Sequence, residues 1–353
     1  MRYLHHIGLC LLIAFGLYYL TPAVQAEEAV TNGDINYSVQ KIQPEGAIKE
    51  GSSFYDLLVS PGDFREIQAK ITNSGEETIT VYSEIFTTFT NANGEINYTS
   101  AAKTYDKSLA FKISDFATVV ASDIKAEIPA GETRVVTAQI HVPDDIEDGV
   151  YLGSWYFEKE LQVTEDSSQE GISIKNKYSY AVAVKLTVNQ EIDAPNLHFV
   201  NVTTGLKDYQ KAIFANIQND QPAIVGKLSY QAKIMKKNSY DVLYESSSEG
   251  LMMAPNSNYA YPILLDGDQM TGGDYTLYLT VTTQDAKWEE TTWEWQKDFT
   301  ITNQEAAALN DAAINDPEPE SKGWIWLLIG ILTLIIFLLI LLLFRSRRGK
   351  IKR

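Results

Sequence analysis

Short runs rich in valine, isoleucine, threonine and tyrosine recur from residue 27 to about residue 302, and apolar and polar side chains alternate along them. An extended chain points successive side chains to opposite faces, so this period of two predicts strands that each bury one face. Turn-forming segments such as Asn73–Glu77 and Asn91–Glu95 separate the runs and predict hairpins. The predicted fold class is therefore all-β, with antiparallel sheets. The clearest runs are Glu66–Thr72, Thr78–Ile85, Arg134–Val142 and Tyr275–Val281.

The runs fall into two sets with the same order of turn signals, which predicts two tandem immunoglobulin-like β-sandwich domains. Each set contains an asparagine turn, a proline turn and a Gly-x-Tyr strand start. These signals are Thr72–Gly75, Ile128–Glu132 and Asp148–Tyr151 in the first set, and Ile217–Asp220, Ala254–Ser257 and Gly273–Tyr275 in the second. Two unrelated sandwich domains would also contain such turn signals, so the alternative that the two domains are not repeats of one fold stays open. We place the domains at residues 27–190 and 191–302, with a hinge at Pro195.

Both ends of the chain carry targeting signals. Arg2, an apolar stretch and the small residues of Val24–Ala26 predict a signal peptide at residues 1–26. Residues 323–344 are apolar and uncharged, which predicts a C-terminal transmembrane α-helix, and the basic tail at 345–353 predicts a cytoplasmic end. Residues 303–322 read as a stalk, first helical and then rich in proline and glutamate. We therefore expect a single-pass plasma-membrane protein with its N-terminus outside.

Net charge and cysteine content limit the possible ligands and the cellular location of the protein. Without the seven basic residues of the predicted signal and tail, 29 basic side chains fall to 22 against 46 acidic ones, a net charge of −24. Such a charge excludes nucleic acid as a ligand. The single cysteine, Cys10, lies in the predicted signal, so the exported part has no disulfide. A large exported protein without disulfides is typical of the cell wall of a Gram-positive bacterium.

Residues suited to catalysis are scarce. The exported part has two histidines, His141 and His198, and no hydrolase, zinc-protease or phosphate-loop motif. We predict a non-enzymatic protein without a cofactor, although two carboxylates brought together in space could still hydrolyse a wall glycan. No dedicated metal site is predicted. The weak calcium candidates are the loop carboxylates Asp144, Asp145, Glu147 and Asp148, for which a solvated turn is the favoured alternative.

Aromatic side chains are the main binding candidates, because aromatic groups with a polar handle stack on sugars and anchor protein partners. The long segment Asn97–Ser122 exceeds what a minimal sandwich needs, and is either a binding face or a crossover. Core packing is the alternative for every aromatic strand residue, since one face of each strand must be buried. The candidate ligand-binding residues are Tyr98, Tyr105, Asp106, Tyr156, Tyr259, Tyr261, Trp293 and Trp295.

The order of the turn motifs resembles that of the WxL-interacting proteins of Gram-positive bacteria, over nearly the whole chain. Segments resembling their first domain are Ser60–Gly62, Ile71–Glu77, Asn93–Tyr98, Ile128–Glu132 and Val142–Gly153. Segments resembling their second domain are Ile217–Ala223, Met253–Asn258, Gly273–Leu277, and Trp288 followed by Phe299–Ile301. Ser154 departs from the commoner pattern, in which a second glycine follows Gly153.

The resemblance implies a first domain that binds peptidoglycan, a second domain that binds host or extracellular-matrix proteins, and complexes with WxL-domain surface proteins. The leading hypothesis is a membrane-anchored, non-enzymatic adaptor of this kind. The alternatives are a protein-interaction scaffold for WxL complexes without affinity for the wall, and a wall glycan hydrolase that uses paired carboxylates.

Overall fold

The computed structural model describes residues 36–161, 177–192, 194–317 and 330–337. The chain is all-β, and its strands form two units that each bury a core between two sheets. Strand alternation explains the cores: along β3 (Phe64–Asn73) and β4 (Ile79–Thr87), every second side chain is buried.

The first unit contains a four-stranded and a five-stranded sheet. The first is ordered β1-β3-β9-β7, with β1 at Tyr37–Lys41, β9 at Thr133–His141 and β7 at Ala117–Val119. The second is ordered β2-β11-β10-β4-β8, with β2 at Tyr55–Val59, β11 at Ser179–Val188, β10 at Gly149–Lys159 and β8 at Lys125–Ile128. The expectation of purely antiparallel pairing fails at one place, because β2 pairs with β11 in parallel.

Trp155 lies at the centre of the first core, fully buried between the sheets. Its ring contacts Phe157, two residues along the same strand, at a centroid distance of 5.0 Å. The core contains this aromatic pair, so Tyr156 between them points to the outside of the five-stranded sheet. Strand alternation alone left open which of the two faces was buried.

The segment from β4 to β8, which we call the crossover, is long and passes through the other sheet of the first unit. It contains the hairpin of β5 (Phe89–Thr90) and β6 (Ile96–Asn97), then helix α1 (Ile113–Phe116), strand β7 and a 3-10 turn (Ala121–Asp123). In the β5–β6 turn, Gly94 has a positive φ of 73°, which glycine adopts without strain.

The second unit pairs a three-stranded sheet with a four-stranded one. The sheet orders are β12-β13-β16 and β15-β14-β17-β18. The strands are β12 (Leu197–Lys207), β13 (Gln210–Asn219), β14 (Val225–Lys236), β15 (Val242–Met253), β16 (Ser257–Leu264), β17 (Gly273–Thr283) and β18 (Thr291–Ile301).

Helix α2 (Asn303–Ala312) packs on this second unit instead of projecting as the first part of a stalk. Thr302 caps it, and the side chain of Glu305 completes a capping box. Ala306 is buried against the second core, and Asp316 beyond the helix pairs with Lys211 of β13. Residues 303–316 therefore belong to the folded second unit.

The two units are packed directly against each other. The backbone N–H of Val150 donates to the carbonyl of Pro222 at 2.7 Å, and the N–H of Met252 donates to the carbonyl of Gly94 at 2.8 Å. The hydroxyls of Thr90 and Ser257 are hydrogen-bonded at 2.6 Å, and both side chains are buried. Pro195, the predicted hinge, is itself buried.

The predicted location as a single-pass membrane protein is contradicted. Within the residues that the structure describes, no helix has both the length and the apolar character needed to cross a bilayer. The described part of the predicted span, residues 330–337, is helical. The remainder of 323–344, the signal peptide at 1–26 and the tail at 345–353 lie outside the described residues.

Candidate functional site

A groove of about 700 Å³ crosses the outer face of the five-stranded sheet of the first unit. Strands β4 and β10 form its floor, and the crossover segment forms the opposite wall. We call it the sheet groove. Its lining residues are Tyr82, Ser83, Glu84, Ile85, Phe86, Thr99, Ser114, Ala117, Thr118, Val119, Ile124, Tyr156 and Glu158.

Strand alternation places the floor residues on one face. Tyr82, Glu84 and Phe86 occupy alternate outward positions of β4, between buried core residues. Tyr156 of β10 lies directly opposite Glu84, and Glu158 lies opposite Tyr82. The rings of Phe86 and Tyr156 lie 5.4 Å apart at an interplanar angle of 45°. The floor therefore presents aromatic rings and carboxylates side by side.

The opposite wall is held close by small residues and hydrogen bonds. The hydroxyls of Thr87 and Ser114 are 2.9 Å apart, which ties helix α1 to β4. A Cβ atom on Gly153 would overlap both Ile113 of α1 and the carbonyl of Phe86, so the absence of a side chain there permits the approach. The buried hydroxyl of Ser154 donates to the carbonyl of Tyr98 at 2.5 Å and fastens the start of the crossover.

An ion pair and two tyrosine hydrogen bonds engage the carboxylates at one end of the groove. Lys177 donates to Glu158 at 2.7 Å, and the Tyr156 hydroxyl donates to the other oxygen of that carboxylate at 3.0 Å. The hydrogen bond from Lys177 lowers the pKa of Glu158, and burial raises the pKa of Tyr156. The Tyr82 hydroxyl donates to Glu160 at 2.6 Å, which lowers the pKa of the Glu160 carboxyl. Both carboxylates are thus ionised and paired at neutral pH.

Glu84 differs from its neighbours. It is exposed in the middle of the groove floor, and no side chain in the described part of the chain forms a hydrogen bond or ion pair with it. Its strand neighbours on the same face are Phe86 and Tyr156. The groove therefore contains one carboxylate available to a ligand, flanked by two aromatic rings.

Of the residues that the sequence indicated for ligand binding, Tyr156 lies in the sheet groove. Tyr98 and Asp106 lie where the crossover meets the second unit, and Tyr105 packs within the first unit. Tyr98 packs with Ile96, Leu152 and Ala254 in a small cluster between the units, and burial raises its pKa. Tyr105 donates its hydroxyl to the carbonyl of Thr87 at 3.1 Å.

Asp106 is the polar centre of the contact between the units. It accepts hydrogen bonds from Gln218 at 2.9 Å and from Asn258 at 2.6 Å, both on the second unit, and from the N–H and hydroxyl of Ser108. Burial alone would raise its pKa, but these hydrogen bonds together lower it. Its carboxylate is therefore already occupied by the protein.

Two tyrosines of the second unit, Tyr259 and Tyr261, are core residues. They are 3% and 1% exposed, and both rings pack on the buried ring of Tyr230. The sequence contained this signal, because Tyr259, Tyr261 and Ile263 alternate with Asn258, Ala260 and Pro262 along β16. The core alternative thus describes both residues in this structure.

Trp293 and Trp295 lie on β18, the edge strand of the four-stranded sheet. Both are half-buried and pack on the rim of the second core, with Trp295 at 6.1 Å from the ring of Phe199. Each side chain therefore contacts the core and is also partly exposed at the edge of the sheet. The outer backbone edge of β18 pairs with no strand among the described residues.

The acidic loop before β10 does not gather into a metal site. Asp144, Asp145, Glu147 and Asp148 are all exposed, and Asp148 is hydrogen-bonded to Asn189 at 2.7 Å. Over the described ranges, no group of three or more potential ligand residues comes together.

Sequence reasoning missed Tyr82, Glu84, Phe86 and Ser114 as residues of the groove. The available signal was the polar-side alternation of β4, which sets two aromatic residues on the face opposite the core. Ser114 had no such signal, because its position depends on how the crossover folds back.

Bacterial chaperones are among the solved structures with partial likeness to this chain. They include the class 5 fimbriae chaperone CfaA, at 13% identity over 74% of this chain and 99% of that chain, with a TM-score of 0.30. The CupB2 chaperone of Pseudomonas aeruginosa has 11% identity over 67% and 95%, with a TM-score of 0.28. The E. coli chaperone DraB has 8% identity over 75% and 98%, also at 0.28. No curated protein matches the chain.

Family models match most of the folded part of the chain. The peptidoglycan binding domain of the WxL Interacting Protein matches residues 37–159, which contain the floor and the wall of the sheet groove. The host binding domain of the same protein matches residues 169–311, from before β11 into helix α2. These segments together cover well over half of the chain, in the expected order, and the chain therefore belongs to the WxL-interacting protein family.

Proposed function

We propose that the sheet groove is the peptidoglycan-binding site of a non-catalytic cell-surface adaptor. The observation that carries this proposal is the groove floor, where Tyr82, Phe86 and Tyr156 are presented outside the core of the domain that matches the peptidoglycan-binding model. Aromatic rings that are not needed for the core are available to stack on sugar rings and apolar parts of a peptide.

The groove also has the size and composition of a ligand site. Its volume of about 700 Å³ is within the range of small-molecule sites and would hold a disaccharide with part of a peptide. The wall contributes hydroxyl groups from Thr99, Ser114 and Thr118 that can bond to hydroxyl and amide groups.

A pull-down with insoluble peptidoglycan tests the proposal. Thr118 is exposed and lines the groove, so Thr118→Arg would fill it without disturbing the core. The matched control is Thr104→Arg, an exposed threonine of the same crossover outside the groove lining. We expect Thr118→Arg alone to reduce the bound fraction. Equal binding by both variants would place the site elsewhere, and no binding by the unsubstituted protein would refute wall binding.

For the second domain we propose binding of protein partners, either host and extracellular-matrix proteins or WxL-domain surface proteins, along the edge of β18. The supporting observation is the pair Trp293 and Trp295, half-exposed beside an unpaired strand edge. Edge strands accept an extended segment of a partner by backbone pairing, and neighbouring aromatic rings add contact area.

Co-precipitation with matrix proteins and with a purified WxL domain tests this second proposal. Trp293→Ala is the test variant, and Tyr240→Ala is the control, since Tyr240 is 96% exposed in the same domain and lies in the loop that leads into β15, the opposite edge strand of the sheet. Loss of binding in Tyr240→Ala, with binding retained in Trp293→Ala, would contradict the edge assignment.

We propose that the protein binds the wall without cleaving it. A glycosidase needs a protonated carboxyl as general acid, but Glu158 is held ionised by Lys177. Release of soluble muropeptides from purified peptidoglycan by the protein would support the hydrolase alternative instead.

A further inference from the structure

We infer that the sheet groove recognises a free primary ammonium group, of the kind carried by an uncross-linked peptide of the wall polymer, through Glu84. This inference rests on the proposed function of the groove and adds the chemical group that it selects. Peptidoglycan offers neutral acetylated sugars, peptide carboxylates and, where cross-links are missing, free amines. The charges in and around the groove distinguish among these three.

The carboxylates in and beside the groove differ in their availability to a ligand. Glu158 is paired with Lys177, and Glu160 with Tyr82 and, at 3.9 Å, with Lys125. Both lysines near the groove are thus already engaged by protein carboxylates. Glu84 is the exposed floor carboxylate that has no such partner in the described ranges. A ligand cation would therefore meet an unsatisfied acceptor at Glu84.

The surroundings of Glu84 also suit a cation. Tyr156 lies directly opposite Glu84 on the neighbouring strand β10, and Phe86 is the next outward residue on β4. An ammonium group beside Glu84 would contact ring faces as well as the carboxylate. A cation held between an anion and aromatic rings gains a charge-assisted hydrogen bond and a cation–π contact together.

The charge of the protein excludes peptide carboxylates as the preferred group. The part of the chain between the predicted signal and tail has a net charge of −24, and the groove contains no unpaired lysine or arginine among the residues that the structure describes. A carboxylate would be repelled by Glu84, whereas an ammonium group would be attracted. Sugars would contact the rings but would not need the charge of Glu84.

The experiment compares untreated peptidoglycan with the same material after acetylation of its free amines by acetic anhydride. We expect the protein to bind the untreated polymer about tenfold or more tightly than the acetylated one, the difference typical of one charge-assisted contact. Glu84→Gln should bind both polymers as weakly as the unsubstituted protein binds the acetylated one. The control Glu132→Gln, at an exposed turn outside the groove, should behave as the unsubstituted protein.

The outcomes separate this inference from the proposed function. If the protein binds untreated and acetylated polymer equally, ammonium recognition is refuted while wall binding stands. If acetylation weakens binding but Glu84→Gln remains as sensitive to acetylation as the unsubstituted protein, the ammonium site lies elsewhere and the inference is also refuted. If the protein binds neither polymer, wall binding and the inference are both refuted. Thermal unfolding of Glu84→Gln at an unchanged temperature confirms that the exchange leaves the fold intact.

Discussion

Gly149 and Pro222 lie in contact across the boundary between the two domains, so closely that a Cβ atom on Gly149 would be 2.5 Å from Cγ of Pro222. The neighbouring N–H of Val150 donates to the carbonyl of Pro222. Gly149 also has a positive φ of 134°. The absence of a side chain at Gly149 therefore lets the start of β10 approach the turn of the second domain that contains Pro222.

Gly149→Ala should destabilise the protein more than Gly131→Ala. Both glycines have positive φ, 134° at Gly149 and 72° at Gly131, but nothing lies within 4 Å of a Cβ at Gly131, so that variant has no overlap with a neighbouring residue. The added overlap with Pro222 should cost about 1–3 kcal/mol of unfolding free energy. Urea denaturation of both variants measures the difference. Equal destabilisation would show that the domains do not meet at Pro222 in solution.

Asp106→Ala should weaken the contact between the domains, because Gln218 and Asn258 lose their shared acceptor. At neutral pH we expect a loss of about 1–2 kcal/mol in unfolding free energy. The control Asp115→Ala removes an exposed carboxylate whose Lys112 partner is 3.6 Å away, and it should have little effect.

The effect of Asp106→Ala should also depend on pH. The pKa of Asp106 is lowered from its ordinary value of 3.8, so its ionised form stabilises the fold above that value. This contribution is lost as the pH falls through the lower folded-state pKa. Melting temperatures of the variant and the unsubstituted protein should therefore differ most near pH 7 and converge below about pH 4. A difference that grows on acidification would contradict the assigned hydrogen bonds.

Strand alternation predicted most of the fold, because each sheet has one buried face and one exposed face. It predicted the positions of β3, β4 and β9 closely. The alternation along β16 likewise indicates that Tyr259 and Tyr261 are buried. It could not predict the parallel pairing of β2 with β11, since pairing partners distant in sequence leave no local pattern. For the same reason, the sequence could not predict the hydrogen bonds that Gln218 and Asn258 donate to Asp106, because these bonds depend on how the two domains pack against each other.

The docking of helix α2 on the second domain gives a further prediction. Ala306 is buried against the core, while Ala307 on the same helix is exposed. Ala306→Glu would bury an unpaired carboxylate and should destabilise the domain by about 2–4 kcal/mol, whereas Ala307→Glu should stay within about 0.5 kcal/mol. Chemical denaturation followed by tryptophan fluorescence measures both. Similar stability of the two variants would indicate that the helix is undocked.

Substitutions of Tyr156 separate the contribution of its ring from that of its hydroxyl in the sheet groove. Tyr156→Phe loses the hydrogen bond to Glu158 but keeps the ring beside Phe86, so it should bind peptidoglycan nearly as well as the unsubstituted protein. Tyr156→Ala removes the stacking surface and should weaken binding by about tenfold. Sedimentation with insoluble peptidoglycan measures the affinities, and Tyr278→Ala, an exposed tyrosine of the second domain, is the control. Because Tyr156 lies outside the first core, all three variants should remain folded. Weakened binding in Tyr156→Phe to the level of Tyr156→Ala would show that the hydroxyl, rather than the ring, makes the contact.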